Sequence, residues 1–177
     1  MDDAAVRRTW RSDYVSQFLS EVGVSRDALC ETTLKCLDEM ARQAHVATDE
    51  PSAGWGKVVL ELCRAVESEV AGTLGCFPGL EFLRVGKALG DIARRLSRMR
   101  GDQSVEQRLL KEGIKPDFVF NTLPDKLRAL AGLRRETGPA HGGVKVASAT
   151  ISDAGRARTV AGEILRGLVR TPGGGPG

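Results

Sequence analysis

Apolar residues recur every three to four positions along most of this chain, which is the spacing of one face of an α-helix. Runs that alternate apolar and polar residues, the pattern of a half-buried strand, are nearly absent. Aromatic residues are few, and β-branched residues do not cluster in short runs. The pattern therefore predicts an all-α protein whose helices each bury one apolar stripe.

Helix-capping and helix-breaking residues divide this pattern into separate helices. The predicted helices cover about residues 3–22, 26–45, 55–74, 84–99, 104–112, 122–137 and 152–169. Ser25 is predicted to cap the second helix and Thr122 the sixth, while Ser152 or Asp153 begins the last. The apolar segment 113–121 is predicted as a loop that packs on the other helices.

The polar, small-residue stretch from Ala47 to Gly56 predicts a boundary in the chain. On this division, residues 1–50 form an N-terminal helical appendage. Residues 51–170 form a bundle of four to five helices, and the glycine-rich residues 171–177 form a disordered tail.

The composition is typical of a soluble globular protein, because 41% of the 177 residues are hydrophobic and 28% are charged. Since no apolar run reaches the ~18 residues of a membrane span, no membrane partner is expected. The charged N-terminal segment MDDAAVRRTWRSDY lacks the apolar centre of a signal peptide. The expected location is therefore cytoplasmic.

Four cysteines stand at positions without the spacing of a metal site. They are Cys30, Cys36, Cys63 and Cys76. The first three fall among helical apolar positions, so we expect reduced core thiols, with neither a bound metal nor a cofactor.

Charge is distributed unevenly between the two halves of the chain. Residues 1–89 carry 10 basic and 14 acidic side chains, whereas residues 90–177 carry 16 basic and 9 acidic ones. The basic half favours an anionic partner such as RNA. Within it, Arg94, Arg95 and Arg98 form either a solvated helix face or a surface that tracks RNA, in which case binding would fall steeply with salt.

The segment LRRETGPAHGG in the basic half carries the clearest candidate chemistry. It places Arg134 and Arg135 close in sequence to His141, where the sixth helix is predicted to end. A histidine can transfer protons near neutral pH, and an arginine can pair with phosphate oxygens. Because RNA supplies its own nucleophile, the 2′-hydroxyl, these two groups suffice to cut it. Glu136 and Thr137 lie between them and could orient either group.

This segment resembles the signature of the HEPN superfamily of small helical bundles, an arginine followed after four to six residues by a histidine. Arg135 and His141 fit that spacing, as do Arg134 and His141, and the ending AHGG is similar as well. The segment KVVLELCRAVESEVAGTL is similar to a bundle helix of that superfamily, in which Glu67 matches a glutamate after AV. RVGKALGDIARRL looks like the next helix, so the resemblance covers about residues 54–170.

The resemblance implies a metal-independent endoribonuclease, a toxin or antiviral defence effector that acts as a homodimer. In such proteins two motifs meet in one cleft, where paired histidines act as general base and acid and arginines bind the scissile phosphate. Carried to this chain, the catalytic group is Arg135, His141, Arg134 and Glu136, supported by Glu67 and Thr137. An antitoxin or a regulatory domain is a further partner that the resemblance allows.

Two departures from the signature keep an alternative open. Glu136 follows the arginine where a shorter polar residue is frequent, and the pair Gly138–Pro139 is unusual. The alternative is a catalytically inactive HEPN-like module for dimerisation, partner docking or nucleotide binding. A third possibility is a helical regulator that binds nucleic acid without cutting it, although no convincing helix-turn-helix is present.

Overall fold

A computed structural model describes residues 3–49, 55–85, 88–137 and 149–169, with side chains from residue 13 onward except those of residues 136 and 137. Within these ranges the chain is helical and contains no strand, as predicted. The helices are α1 (Asp3–Val22), α2 (Glu31–Asp49), α3 (Trp55–Leu74), α4 (Leu89–Arg98), α5 (Gln103–Lys111), α6 (Leu123–Thr137) and α7 (Ile151–Leu168).

A single hydrophobic core runs through the described helices, and α3 lies at its centre. The helix packs against α2, α6 and α7 and buries apolar residues on most of its circumference. This explains why its sequence is the most apolar of the long helices. Residues of α1 and α2 belong to the same core as those of α7. The predicted boundary near residue 50 stays a prediction, because residues 50–54 lie outside the described ranges.

The second helix begins later than its sequence indicates. Residues Arg26–Ala28 form a 3-10 turn, and the side chain of Ser25 makes no capping hydrogen bond there. Helix α2 starts at Glu31 instead. The backbone N–H of Cys30, just before this helix, donates to the carboxylate of Glu69 on α3 at 3.0 Å. The predicted Ser25 cap is therefore wrong, because a side chain from another helix satisfies the N-terminus of α2.

The segment predicted as a loop before the sixth helix is helical. Helical backbone begins at Pro116 and continues through a π-helical turn, Phe118–Thr122, into α6. The N–H of Leu123 donates to the carbonyl of Phe118, five residues back. Thr122 lies inside this turn and does not cap the helix. The wider turn suits the following Pro124, which has no N–H to donate and whose ring would crowd a regular α-helical turn.

Two further helix starts differ from prediction by a few residues. Residues Glu81–Arg84 form a separate 3-10 turn, so the helix predicted over 84–99 is α4, Leu89–Arg98. The last helix is capped by Thr150 rather than by Ser152 or Asp153. Asp153 instead accepts the Thr150 N–H, while Thr150 accepts the Asp153 N–H, which completes a capping box.

Helix α6 is held against its neighbours by polar contacts as well as by apolar packing. Its side chains Leu127 and Leu130 are fully buried. On one side, Arg128 donates to the hydroxyl of Ser97 on α4 at 2.8 Å. On another, Lys126 forms an ion pair with Glu163 on α7. These contacts fix the rotation of α6 about its axis and hence the direction in which its C-terminal arginines point.

None of the helices in the described part of the chain is both long and apolar enough to cross a membrane.

Candidate functional site

The C-terminal turn of α6 lies against the middle of α3 and brings two predicted site residues together. Arg134 on α6 donates to the Glu67 carboxylate on α3 through Nη1 at 3.0 Å. These residues are 67 positions apart in sequence. Leu133 beside Arg134 is buried, so the end of α6 is anchored to the core. The fold therefore places the predicted supporting glutamate directly on one of the two candidate arginines.

The Glu67–Arg134 pair is half-buried, with 26% of the Glu67 side chain and 41% of the Arg134 side chain exposed. Burial raises the pKa of Glu67, and the positive charge of Arg134 opposes that rise. The guanidinium has further N–H donors besides the one that Glu67 accepts. Arg134 is therefore a fixed cation that can still donate to a second anion at the surface.

Arg135 occupies a different environment from its neighbour. Its side chain is exposed on the last turn of α6. Successive residues of a helix point about 100° apart, so Arg135 faces solvent while Arg134 faces α3. This arrangement separates two roles that the sequence left open. Arg134 is held in place by a carboxylate, and Arg135 is open to an anionic ligand.

The remaining motif residues lie at or beyond the limit of what the structure describes. Glu136 and Thr137 end α6, but their side chains are outside the described part. His141 lies outside the described residues altogether, within 138–148. Its predicted partnership with Arg134 or Arg135 stays a prediction.

The three arginines predicted to bind RNA lie on the solvent face of α4, whose opposite face is buried. Arg94 forms an ion pair with Asp91 at 2.9 Å, one turn earlier. Arg95 places its guanidinium over the ring of Phe82, 5.4 Å from the ring centre. Arg98 is exposed near the C-terminus of the helix. The three cations share one helix, but they do not share one set of contacts.

Arg128 is a further basic residue at this surface, outside the residues predicted from the sequence. It pairs with Asp125 at 2.6 Å and reaches across to Ser97 on α4. It lies seven residues before Arg135, which places the two on the same side of α6, two turns apart. That spacing was visible in the sequence, but the contact between α6 and α4 was not.

Glu69 is a second residue that the sequence did not single out. Only 2% of it is exposed. Its carboxylate accepts the Cys30 N–H and, at 2.7 Å, the hydroxyl of Thr73. Burial, followed by the neighbouring Glu69 charge, raises the pKa of the Cys30 thiol. Because its hydrogen bonds join α2 to α3, Glu69 serves the fold rather than the arginine surface.

The cysteines are free thiols in environments that disfavour reactivity at most positions. Cys63 is buried in α3, and burial raises its pKa to about 12. Cys36 is half-buried and packs against the core, Cys30 is half-buried just before α2 and is not a core residue, and Cys76 is exposed. Within the described ranges, no three histidine, cysteine or acidic side chains converge as a metal site would require.

A shallow groove of about 390 Å³ lies elsewhere on the surface. It is lined by Cys76, Phe77, Pro78, Arg108, Lys111 and Glu112. None of the predicted site residues lines this groove. The described candidate residues at the end of α6 are therefore separate from this groove.

Comparison with known proteins finds no significant match among protein-family models, curated proteins or solved structures.

Proposed function

We propose that this protein is a HEPN-type, metal-independent endoribonuclease that acts as a homodimer, a role suited to a toxin or an antiviral defence effector. The observation that carries the proposal is the ion pair between Arg134 and Glu67. Both residues lie in sequence segments that resemble this superfamily, and they are in contact in the fold. Beside them, the exposed Arg135 supplies a cation on the same helix end.

In the proposed mechanism, the chain's residues divide the chemistry between charge and proton transfer. Arg135 pairs with the scissile phosphate, and Arg134, steered by Glu67, adds a second donor as negative charge builds on the phosphate oxygens. His141 removes the proton from the 2′-hydroxyl, and His141 of the second protomer protonates the leaving 5′-oxygen. The 2′-oxygen forms a bond to phosphorus as the bond to the 5′-oxygen breaks, which leaves a cyclic phosphate.

The direct test is cleavage of labelled RNA in EDTA by the wild type, His141→Ala and Arg135→Ala. We expect cleavage by the wild type, products that end in a cyclic phosphate, and a loss of about 10²–10⁴-fold when His141 is removed. Arg42→Gln serves as a matched control, since Arg42 is a surface arginine of α2 that pairs with Glu39. Cleavage that is equally fast in His141→Ala would show that the activity belongs to another site or a contaminant.

One observation favours a second candidate, a non-catalytic HEPN-like module for dimerisation, partner docking or nucleotide binding. Glu67 neutralises one of the two arginines at the end of α6 and so weakens the attraction for a second phosphate. This module would dimerise or bind a nucleotide with Arg135 intact but leave RNA uncut. Cleavage by the wild type that is lost in both Arg135→Ala and His141→Ala would exclude it.

A further inference from the structure

The contact between α4 and α6 joins basic residues from two helices into one surface. Arg94 and Arg98 lie four residues apart on the exposed face of α4, about 6 Å along its axis. Ser97, between them in sequence, receives the hydrogen bond from Arg128 of α6. We define Arg94, Arg98 and Arg128 as the basic seam.

The basic seam continues toward the candidate site along α6. Arg128 and Arg135 share one side of that helix and are separated by about 10 Å along its axis. The seam thus runs from the solvent face of α4, across the Ser97 contact, to the exposed arginine of the motif. Asp91 and Asp125 each pair with one arginine of the seam, and both pairs are at the surface. Such exposed pairs contribute only about 0–1 kcal/mol, so a phosphate can compete for their arginines.

Arg95 lies on the same solvent face of α4 but farther around the helix from the α6 contact than Arg94 and Arg98. Its guanidinium lies over Phe82, which precedes α4 in the chain. On a helical projection of α4, Arg95 lies about 160° from Ser97, so it points away from the α6 contact. A strand of RNA that follows the seam toward Arg135 would therefore leave Arg95 outside its path.

The seam also lacks fully exposed aromatic rings among the described side chains. Every aromatic side chain that the structure describes is buried or half-buried. Binding of single strands that recognises bases generally uses exposed aromatic rings as stacking platforms. A row of arginines without such rings attracts the phosphates of any sequence about equally.

We infer that the basic seam holds the phosphate backbone of single-stranded RNA, without base recognition, and directs it to the Arg135 end of α6. This inference rests on the proposed function, because it names the surface that delivers the substrate to that site. Any sequence preference in cleavage then arises at the motif and not along the seam.

A binding experiment that excludes cleavage separates the two proposals. The probe is a fluorescently labelled oligonucleotide made wholly of 2′-O-methyl nucleotides, which lack the attacking hydroxyl. Anisotropy is measured over a series of salt concentrations for the wild type, Arg94→Gln, Arg98→Gln and Arg128→Gln. Each seam variant is expected to bind several-fold more weakly, with the slope of log affinity against log salt reduced by about 0.7 for each phosphate that the protein no longer neutralises. Probes of two unrelated sequences should give the same affinities.

Arg42→Gln and Arg95→Gln complete the design. Arg42 pairs with an acidic residue three positions earlier, as Arg94 and Arg128 do, but it lies on α2. It should bind the probe like the wild type. If Arg95→Gln weakens binding as much as Arg98→Gln, the whole solvent face of α4 binds and the seam is wrong. The seam proposal is also wrong if seam variants retain wild-type affinity, or if the protein binds the two probe sequences with strongly different affinities.

The same set of proteins distinguishes a failure of the seam proposal from a failure of the ribonuclease proposal. If the probe binds along the seam but unmodified RNA is never cut, the seam proposal is supported and the ribonuclease proposal is wrong. If unmodified RNA is cut while seam variants bind and cleave like the wild type, the ribonuclease proposal is supported and the seam proposal is wrong.

Discussion

At the scale of single residues, the ion pair between Glu67 and Arg134 links the fold to the candidate site. Burial raises the pKa of Glu67, and the positive charge of the arginine beside it opposes that rise. Arg134, in turn, is aimed by that carboxylate. The two residues are therefore coupled, and a double-mutant cycle measures that coupling.

A double-mutant cycle on Glu67→Ala and Arg134→Ala should reveal a coupling of about 1 kcal/mol in the free energy of unfolding, as expected for a half-buried pair. In RNA cleavage, Glu67→Gln should retain more activity than Glu67→Ala, because the amide oxygen can still accept from Arg134. Urea denaturation and single-turnover cleavage measure the two effects. Additive losses of stability in the double variant would show that the contact has no energetic role.

Asp153 gives a prediction for pH dependence at the same scale. Hydrogen bonds from Thr150 and Arg156 lower the pKa of this carboxyl from 3.8 to about 2. Because the folded state holds the proton more weakly than the unfolded state, the stability that Asp153 contributes is present above pH 3.8. It is lost as the pH falls through about 2.

We therefore expect the wild type to exceed Asp153→Asn in free energy of unfolding by about 1 kcal/mol near neutral pH. The difference should shrink between about pH 4 and pH 2. Chemical denaturation at a series of pH values measures it. A difference that stays constant down to about pH 2 would contradict the assigned role of the carboxylate. Thr150→Ala, which removes the other half of the capping box, serves as a reference at neutral pH.

At the scale of elements, local sequence patterns predicted the helices well but not all of their ends. The apolar spacing of Leu127 and Leu130 places α6 correctly, because burial against α3, α4 and α7 selects that face. The start of α2 could not be found in this way. It is set by Glu69, 39 positions further along the chain, which accepts the N–H of Cys30. Local capping rules have no access to such a distant partner.

The candidate site shows the same division between local and distant information. Arg134 and Arg135 could be proposed from the motif alone, and Glu67 only from a resemblance. Which arginine faces the core depends on the rotation of α6, which Arg128 and Lys126 fix through contacts with α4 and α7. These contacts join residues more than 30 positions apart, so they follow from the fold and not from the local pattern.

Helix α7 offers a prediction in which two glycines of one helix respond in opposite ways. A Cβ atom added at Gly167 would lie 2.1 Å from the Phe118 ring, whereas one added at Gly155 would meet no atom within 4 Å. Gly167→Ala should lower the free energy of unfolding by about 1–3 kcal/mol because the ring and the π-helical turn must shift. Gly155→Ala should raise it by about 0.5–1 kcal/mol, since alanine favours the helix.

Thermal and urea unfolding of the two glycine variants tests how closely α7 packs on the turn that leads into α6. Equal stabilities for the two variants would mean that Phe118 does not pack over Gly167. If Gly167→Ala also reduced RNA binding by the seam, the π-helical turn would be shown to transmit strain to α6. Unchanged binding would confine the effect to stability.

At the scale of the whole molecule, the proposed mechanism requires two copies of the chain, because each copy carries His141 once and the reaction needs both a base and an acid. The two protomers can either share one cleft or carry two independent sites, and these arrangements respond differently to the loss of one histidine. In a shared cleft, a protomer without its histidine disables the partner with which it pairs. In independent sites, it disables only itself.

Mixing wild type and His141→Ala at constant total concentration, with time for subunits to exchange, separates the two arrangements. If the cleft is shared and pairing is random, activity falls as the square of the wild-type fraction, because only pairs of wild-type protomers carry both histidines. A linear fall would show that each protomer acts alone. Mixing with Arg42→Gln should leave activity unchanged at every ratio, which controls for dilution and exchange. Sedimentation at the assay concentration must show dimers, since a monomer that cuts RNA at full rate would contradict the shared cleft outright.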